Sequence, residues 1–477
     1  MGRQRLLAAN RNPVSSAKPL GPKIGTPSKI AGRSKIDILG WIGSLGIICA
    51  FAVYQTTQIV LVDGQALFLI FNSLTVFTVL ALLFMSPYRF FGLVHVFLIY
   101  MLVFFGIIPV LELKDGTTYW GAPTSVFDHY GTAAVLAYFG ILAFWIAYAV
   151  GFRRPLKTEP WHLRSKPNAL VLILASVFSA LLIYWLNGFS VTSVFYRSGV
   201  LESRIELEQT TWLLFQYFVY PTPSVALILY LRWSDRRIFV VTCLAFLTLA
   251  ANPPTGMPRF QAAAIYIAIL LAAVPALIRL RALMFALFVT GLFFLMPVLD
   301  KFRRFDDEHR QDSPDFITSG TFDGFQLLAV TIYEGTITYG YQLLGALLFF
   351  VPRSTWPEKP VSSGTLLANR LHFDWDNVAS SLLAEGYINF GITGTFLFMV
   401  FAGYFCSRYD RYFLASPHIR TVVSAYYPLF LGMFFFLLRG SLQNGIAYSL
   451  GAFVTFFFLT VASTHRVYRT DKTRLST

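Results

Sequence analysis

The run ALMFALFVTGLFFLMPV, Ala282–Val298, carries no charge across seventeen positions; Arg279 and Arg281 stand just before it, and DKFRRFDDEHR, Asp300–Arg310, comes just after. As a helix it reaches about 26 Å, close to the ~30 Å of a bilayer's hydrocarbon layer. A backbone crossing that layer must satisfy its own hydrogen bonds, and a helix does so within one segment. Comparable runs recur at 38–61, 66–86, 91–112, 133–151, 168–186, 212–232, 237–251, 259–278, 382–407, 420–438 and 443–463. Together they predict an all-α polytopic integral membrane protein with about twelve transmembrane helices. With 56% hydrophobic and 13% charged residues, the composition excludes a soluble globular enzyme.

The charges decide which ends of these runs lie together. With the N-terminus inside, 26 of the 38 Lys and Arg residues fall in one set of loops and tails, and 19 of the 24 acids fall in the other. That asymmetry marks the basic set as cytoplasmic and predicts both termini there, as in a bacterial inner membrane. It also accounts for the +14 net charge without nucleic acid as a partner. The chain divides into a basic tail 1–37, spans one to nine over 38–298, a large extracytoplasmic segment 299–381, spans ten to twelve over 382–463, and a tail 464–477. A further apolar stretch at 337–352 is too short to span and would invert the downstream charges if it did, so a re-entrant or amphipathic helix is expected there. Cys49, Cys243 and Cys406 lie in or beside apolar runs, with no pairing or metal spacing.

Twelve cations remain outside: Lys114, Arg197, Arg204, Arg259, Lys301, Arg303, Arg304, Arg310, Arg353, Lys359, Arg370 and Arg439. Arg259 opens a span after Asn252-Pro-Pro-Thr-Gly-Met-Pro258. Arg439 closes another in Phe434-Phe-Phe-Leu-Leu-Arg-Gly440. Arginine at membrane depth is either functional or snorkels to the interface, and the Pro- and Gly-containing backbone beside these two favours function. Its planar fork suits a diphosphate. Arg197 and Arg204, seven apart, share a face if helical; a solvated surface helix accounts for them equally well. Lys114 and Lys359 read as structural.

Glu385, one turn into its apolar run, is a candidate base for a sugar hydroxyl or a partner for an outer arginine. His372 and His309 are weaker candidates, since a loop histidine is usually just solvated. Asp374 and Asp376 form an Asp-x-Asp pattern, read as hydrogen-bonding to sugar ahead of metal binding. Trp375, Trp356 and the neighbouring tyrosines offer faces for sugar rings, or an interfacial aromatic belt. No Walker or dinucleotide loop is present, and neither cofactor nor metal is expected.

Three stretches resemble the oligosaccharide repeat-unit polymerases (Wzy-type) of O-antigen, enterobacterial common antigen and exopolysaccharide assembly. They are Phe349-Phe-Val-Pro-Arg-Ser-Thr-Trp-Pro-Glu-Lys-Pro360, Ala384-Glu-Gly-Tyr-Ile-Asn-Phe-Gly-Ile-Thr-Gly394 and Arg439-Gly440. The similarity runs from about 170 to 463. It implies a GT-C-like, metal-independent membrane glycosyltransferase that moves a growing glycan from undecaprenyl diphosphate onto a new lipid-linked repeat unit, with a chain-length regulator as partner. Arg439 and Arg259 would contact diphosphate and Glu385 would sit by the acceptor. Arg197, Arg204, Arg303, Arg304, Arg353, Arg370, His372, Asp374 and Trp375 would bind diphosphate or steer glycan, the 300–380 segment acting as a lid. The alternatives are an O-antigen ligase and, in another class, a flippase or solute transporter. A transporter predicts charges through both leaflets and a pseudo-repeat; here the membrane-depth cations lie at the outer end only.

Overall fold

The computed structural model describes residues 65–85, 90–154, 161–163, 166–196, 209–233, 236–296, 320–373, 378–415, 422–464 and 467–469, with 207 and 298. The first apolar run, 38–61, lies outside them. Among the described residues, eight helices are long and apolar enough to cross a membrane: α1 (Ala66–Met85), α2 (Leu93–Asp115), α3 (Tyr130–Arg153, entered through a 3-10 turn), α4 (Ala169–Leu186), α5 (Thr210–Trp233), α12 (Leu382–Ala415), α13 (Val422–Arg439) and α14 (Leu442–Ser463). Three shorter apolar helices accompany them: α6 (Ile238–Ala251), α7 (Arg259–Ala273) and α8 (Arg281–Leu295). The described parts of the span-length runs from 66 onward are therefore largely helical. The protein is a polytopic helical membrane protein, with the outer-segment helices α9 (Gly324–Glu334), α10 (Tyr341–Leu347) and α11 (Ser363–Leu371).

α2 runs through the middle of the bundle. All ten residues Leu93–Leu102 are buried, as expected of a helix apolar on every face. The outer helices instead leave large apolar side chains exposed, among them Phe77, Phe178, Phe246 and Phe401. Without bulk water against them these form a lipid-facing surface.

The two loop classes assigned from charge are also the two sets that touch. On the basic rim, Arg236 donates to the carbonyls of Leu231, Ala272 and Ala273, and Arg408 and Arg411 donate to the carbonyls that end α3. The charges that orient the protein thus also cap helix C-termini. On the same rim, β1 (Trp161–Leu163) pairs antiparallel with β2 (Val467–Arg469), so the loop after α3 and the chain after α14 lie on one side.

Asp410 ties this rim together. Buried on α12, it accepts from the Leu93 and Val94 amides at the start of α2, at 2.9 and 3.3 Å, and from the Tyr148 and Tyr427 hydroxyls at 2.9 and 2.6 Å. Asp410→Asn sets an amide against these donors and is expected to lower stability by about 1–3 kcal/mol in thermal unfolding of the detergent-purified protein. An unchanged melting temperature would show that the carboxylate does not hold this rim.

The outer segment departs from expectation. Its deeply placed helix is α9, whose residues Gly324–Thr331 are all buried. Phe325 sits 5.9, 5.7 and 5.0 Å from the Phe68, Phe105 and Tyr130 rings. The stretch at 337–352 forms only the seven-residue α10 and the turns that follow. α12 also differs from a simple span. Phe390 and Gly391 leave helical geometry, Gly391 at φ 63°, ψ −151°, a conformation open essentially to glycine alone. There the chain turns back: a Cβ added at Gly394 would lie 2.1 Å from the Gly386 carbonyl oxygen. Eight residues of straight helix would separate those positions by about 12 Å. Residues 382–389 therefore form a short arm folded against the start of the long one.

Candidate functional site

Arg439, the last residue of α13, lies on the rim opposite the basic one. Nε donates to the Thr321 carbonyl at 3.0 Å and Nη2 to the Gly320 carbonyl at 3.1 Å, while Nη2 also pairs with Asp323 Oδ1 at 3.2 Å. Asp323 is wholly buried, and its Oδ2 accepts from Trp120 Nε1 at 3.0 Å. Burial pushes the Asp323 carboxyl above the usual aspartate range, against the opposing pull of Arg439. The opposite face of the guanidinium lies over the Phe260 ring, 4.6 Å from its centroid.

That stacking brings Arg439 to the start of α7, because Phe260 follows Arg259, the first residue of the helix. The loop before α7 seats on the short helix Val191–Phe195, where a Cβ at Gly256 would fall 1.9 Å from the Val194 carbonyl oxygen. Arg439 therefore lies against the residue that follows Arg259 in the chain. The N-terminus of α7 adds its positive dipole end.

Glu385 is held by a serine hydroxyl and a helix amide, and no arginine among the described residues pairs with it. It sits on the short arm of α12, 1% exposed, with both oxygens engaged. Oε1 accepts from the Leu442 amide at 2.8 Å, the first amide of α14, and Oε2 accepts from Ser363 Oγ at 2.7 Å. The geometry is a helix cap supplied from 57 residues away. Arg439, one of the outer arginines, is held by Asp323. Asn389, one turn further, does the same for α10: Oδ1 accepts from Leu343 N at 2.7 Å while Nδ2 donates to the Glu385 carbonyl at 2.9 Å.

The three motif stretches are thereby stitched together. Asn389 joins the second to α10, which leads into the first. The first closes on Lys359, whose Nζ donates to the carbonyls of Phe349 and Val351 at 2.5 and 2.9 Å. Glu385 joins the second to the residues just after Arg439-Gly440.

The remaining candidates divide. Arg353 Nη1 donates to the Lys359 carbonyl at 2.7 Å. Arg370 donates to Thr336 Oγ1 at 2.7 Å and pairs with Glu334 at 3.4 Å. His372 ends α11 in the left-handed region at φ 52°, exposed. These side chains brace or border the outer segment's own loops. Arg197, Arg204, Arg303, Arg304, His309, Asp374, Trp375 and Asp376 lie outside the described residues.

Asp323 and Trp120 are the site residues that sequence reasoning missed, along with Gln326. Gln326 Oε1 accepts from Tyr119 N at 2.7 Å, and Nε2 donates to the Thr117 carbonyl at 2.9 Å and to the Tyr130 hydroxyl at 3.0 Å. One signal was available. Asp323-Gly324 precedes an apolar run, the usual pattern of a helix start.

Comparison with family models, with curated proteins and with solved structures returns no match.

Proposed function

We propose that this chain is a metal-independent membrane glycosyltransferase that polymerises lipid-diphosphate-linked oligosaccharide repeat units at the outer membrane face. The supporting observation is the stacking of Arg439 on Phe260, beside Arg259 and the α7 N-terminus. This arrangement puts fixed positive charge at the outer end of two helices, where a diphosphate headgroup of a polyprenyl lipid would lie. The fuller form of the reading takes all twelve apolar runs as spans of a GT-C-like fold in a bacterial inner membrane, with both termini cytoplasmic.

In the proposed reaction, a hydroxyl of the non-reducing-end sugar on a new lipid-linked unit attacks the anomeric carbon of the growing glycan. The bond from that carbon to the diphosphate oxygen breaks, and the lipid diphosphate departs with the electron pair. Arg439 and Arg259 stabilise the negative charge that builds on the diphosphate, and Arg439, already held by its hydrogen bonds, needs little reorganisation to do so. The hydroxyl proton passes to a diphosphate oxygen, a route that uses no base from Glu385. Glu385, Asn389 and Asp323 act as positioning residues.

The test is purified protein in lipid nanodiscs, given a synthetic undecaprenyl-diphosphate oligosaccharide with EDTA present. The expected product is a ladder of elongated glycans, with undiminished yield in EDTA. Transfer only to a lipid A-core acceptor would replace polymerase with ligase, and a ladder abolished by EDTA would overturn the metal-independent mechanism.

A further inference from the structure

Between the start of α7 and residues 219–221, where α5 breaks into Gln209–Phe218 and Thr222–Trp233, lies a cavity of about 40 Å³. Among the described residues, no charged side chain lines it. Its walls include the amides of Asn187, Gln216, Asn252 and Gln261 and the rings of Trp212 and Tyr220. The two rings meet edge to face, 6.4 Å apart at 70°.

Two buried acceptors on this wall have no donor among the described residues: Asn252 Oδ1 and Gln261 Oε1. Asn252 is 1% exposed and Gln261 5%. The Asn252 amide cannot simply be turned over, because its Nδ2 donates to the Tyr220 carbonyl at 2.8 Å and an oxygen there would face another oxygen. Buried acceptors normally find donors, so two on one small cavity point to a guest that brings O–H groups. At roughly 10–15 Å³ for each water-sized group, there is room for two or three hydroxyls but not a whole ring. Aromatic faces beside uncharged amides suit a sugar, whose C–H face meets the ring while its hydroxyl edge meets the amides.

Gln261 lies two residues beyond Arg259 on α7. We infer that this cavity receives the hydroxyl edge of the sugar attached directly to the lipid diphosphate, an inference that rests on the diphosphate reading above. The arginines then recognise the leaving group and the neutral cavity recognises what it leaves from.

Two probes separate these roles in equilibrium binding to protein in nanodiscs. One is a short-chain polyprenyl diphosphate without sugar. The other is the same lipid carrying one neutral hexose or N-acetylhexosamine, tried across a small panel. Wild type is expected to bind the best sugar-bearing lipid about tenfold more tightly than the bare lipid. Gln261→Leu removes that tenfold gain and leaves the affinity for bare lipid unchanged. Gln216→Leu, at a less buried position, reduces the gain and serves where Gln261→Leu does not fold. If the gain survives in whichever variants fold, or if wild type shows none across the panel, the cavity holds only water and the inference falls, while the diphosphate reading stands. If wild type does not bind the bare lipid, the diphosphate reading falls and this inference with it.

Discussion

Arg439→Ala is expected to abolish glycan transfer and also to lower stability by about 3–5 kcal/mol, because it leaves the wholly buried Asp323 carboxylate without its counter-charge. The two losses have separate origins and can be split. Adding Asp323→Asn removes the stranded charge while leaving an oxygen for Trp120, so the double variant is expected to recover much of the stability and none of the activity. Arg439→Lys keeps a charge but loses the fork that reaches the Gly320 and Thr321 carbonyls together with Asp323, and its transfer rate is expected to fall about 100-fold.

Acidity provides an independent check. Burial already raises the Asp323 carboxyl, and removing Arg439 removes an opposing pull, so it rises further. A carboxyl raised in the folded state contributes stability that is fully present below the unfolded aspartate pKa and is lost as pH rises through the folded value. Arg439→Ala should therefore melt closer to wild type in acidic than in neutral buffer, and with Asp323→Asn added that dependence should disappear. A single variant that melts like wild type at neutral pH would rule out the buried pair as a structural element.

The membrane architecture was legible because a bilayer imposes a simple rule on sequence: every crossing needs an uncharged run, and the cations between crossings sort to one side. From Ala66 onward the described parts of the runs are largely helical, and several of the basic loops lie on one rim. Arg259 and Arg439 stood out for the same reason, as cations where cations are expensive. Asp323 did not, because it is one of 19 acids in the outer class and its importance comes from an arginine 116 residues away. The fold-back of α12 was hidden for another reason. Hydropathy records how apolar a stretch is but not its direction, so 382–389 merged with the span behind it. Gly386, Gly391 and Gly394 were visible as small residues, but the contact that requires them exists only after the chain has turned.

Glu385 shows how a residue that stands out in sequence can have partners that sequence does not reveal. From sequence, a carboxylate inside an apolar run invites a role as base. Placed on the short arm, it caps α14 and holds Ser363 of α11, fixing the backbone just beyond Arg439. Glu385→Ala leaves the Leu442 amide and the Ser363 hydroxyl without an acceptor, at roughly 1–3 kcal/mol for each buried group. It is expected to lower the melting temperature markedly and to lose activity along with the fold of this corner. Glu385→Gln separates the two roles. Its carbonyl oxygen still accepts from Leu442, and the serine hydroxyl can rotate to accept from the new amide. It cannot take up a proton as a base does. Transfer within about threefold of wild type, with a flat ratio to wild type across pH, is the result expected of a positioning residue. A loss of 100-fold or more in a variant that melts normally would return Glu385 to the role of base, and the proton would then leave through the short arm of α12 rather than on the departing diphosphate.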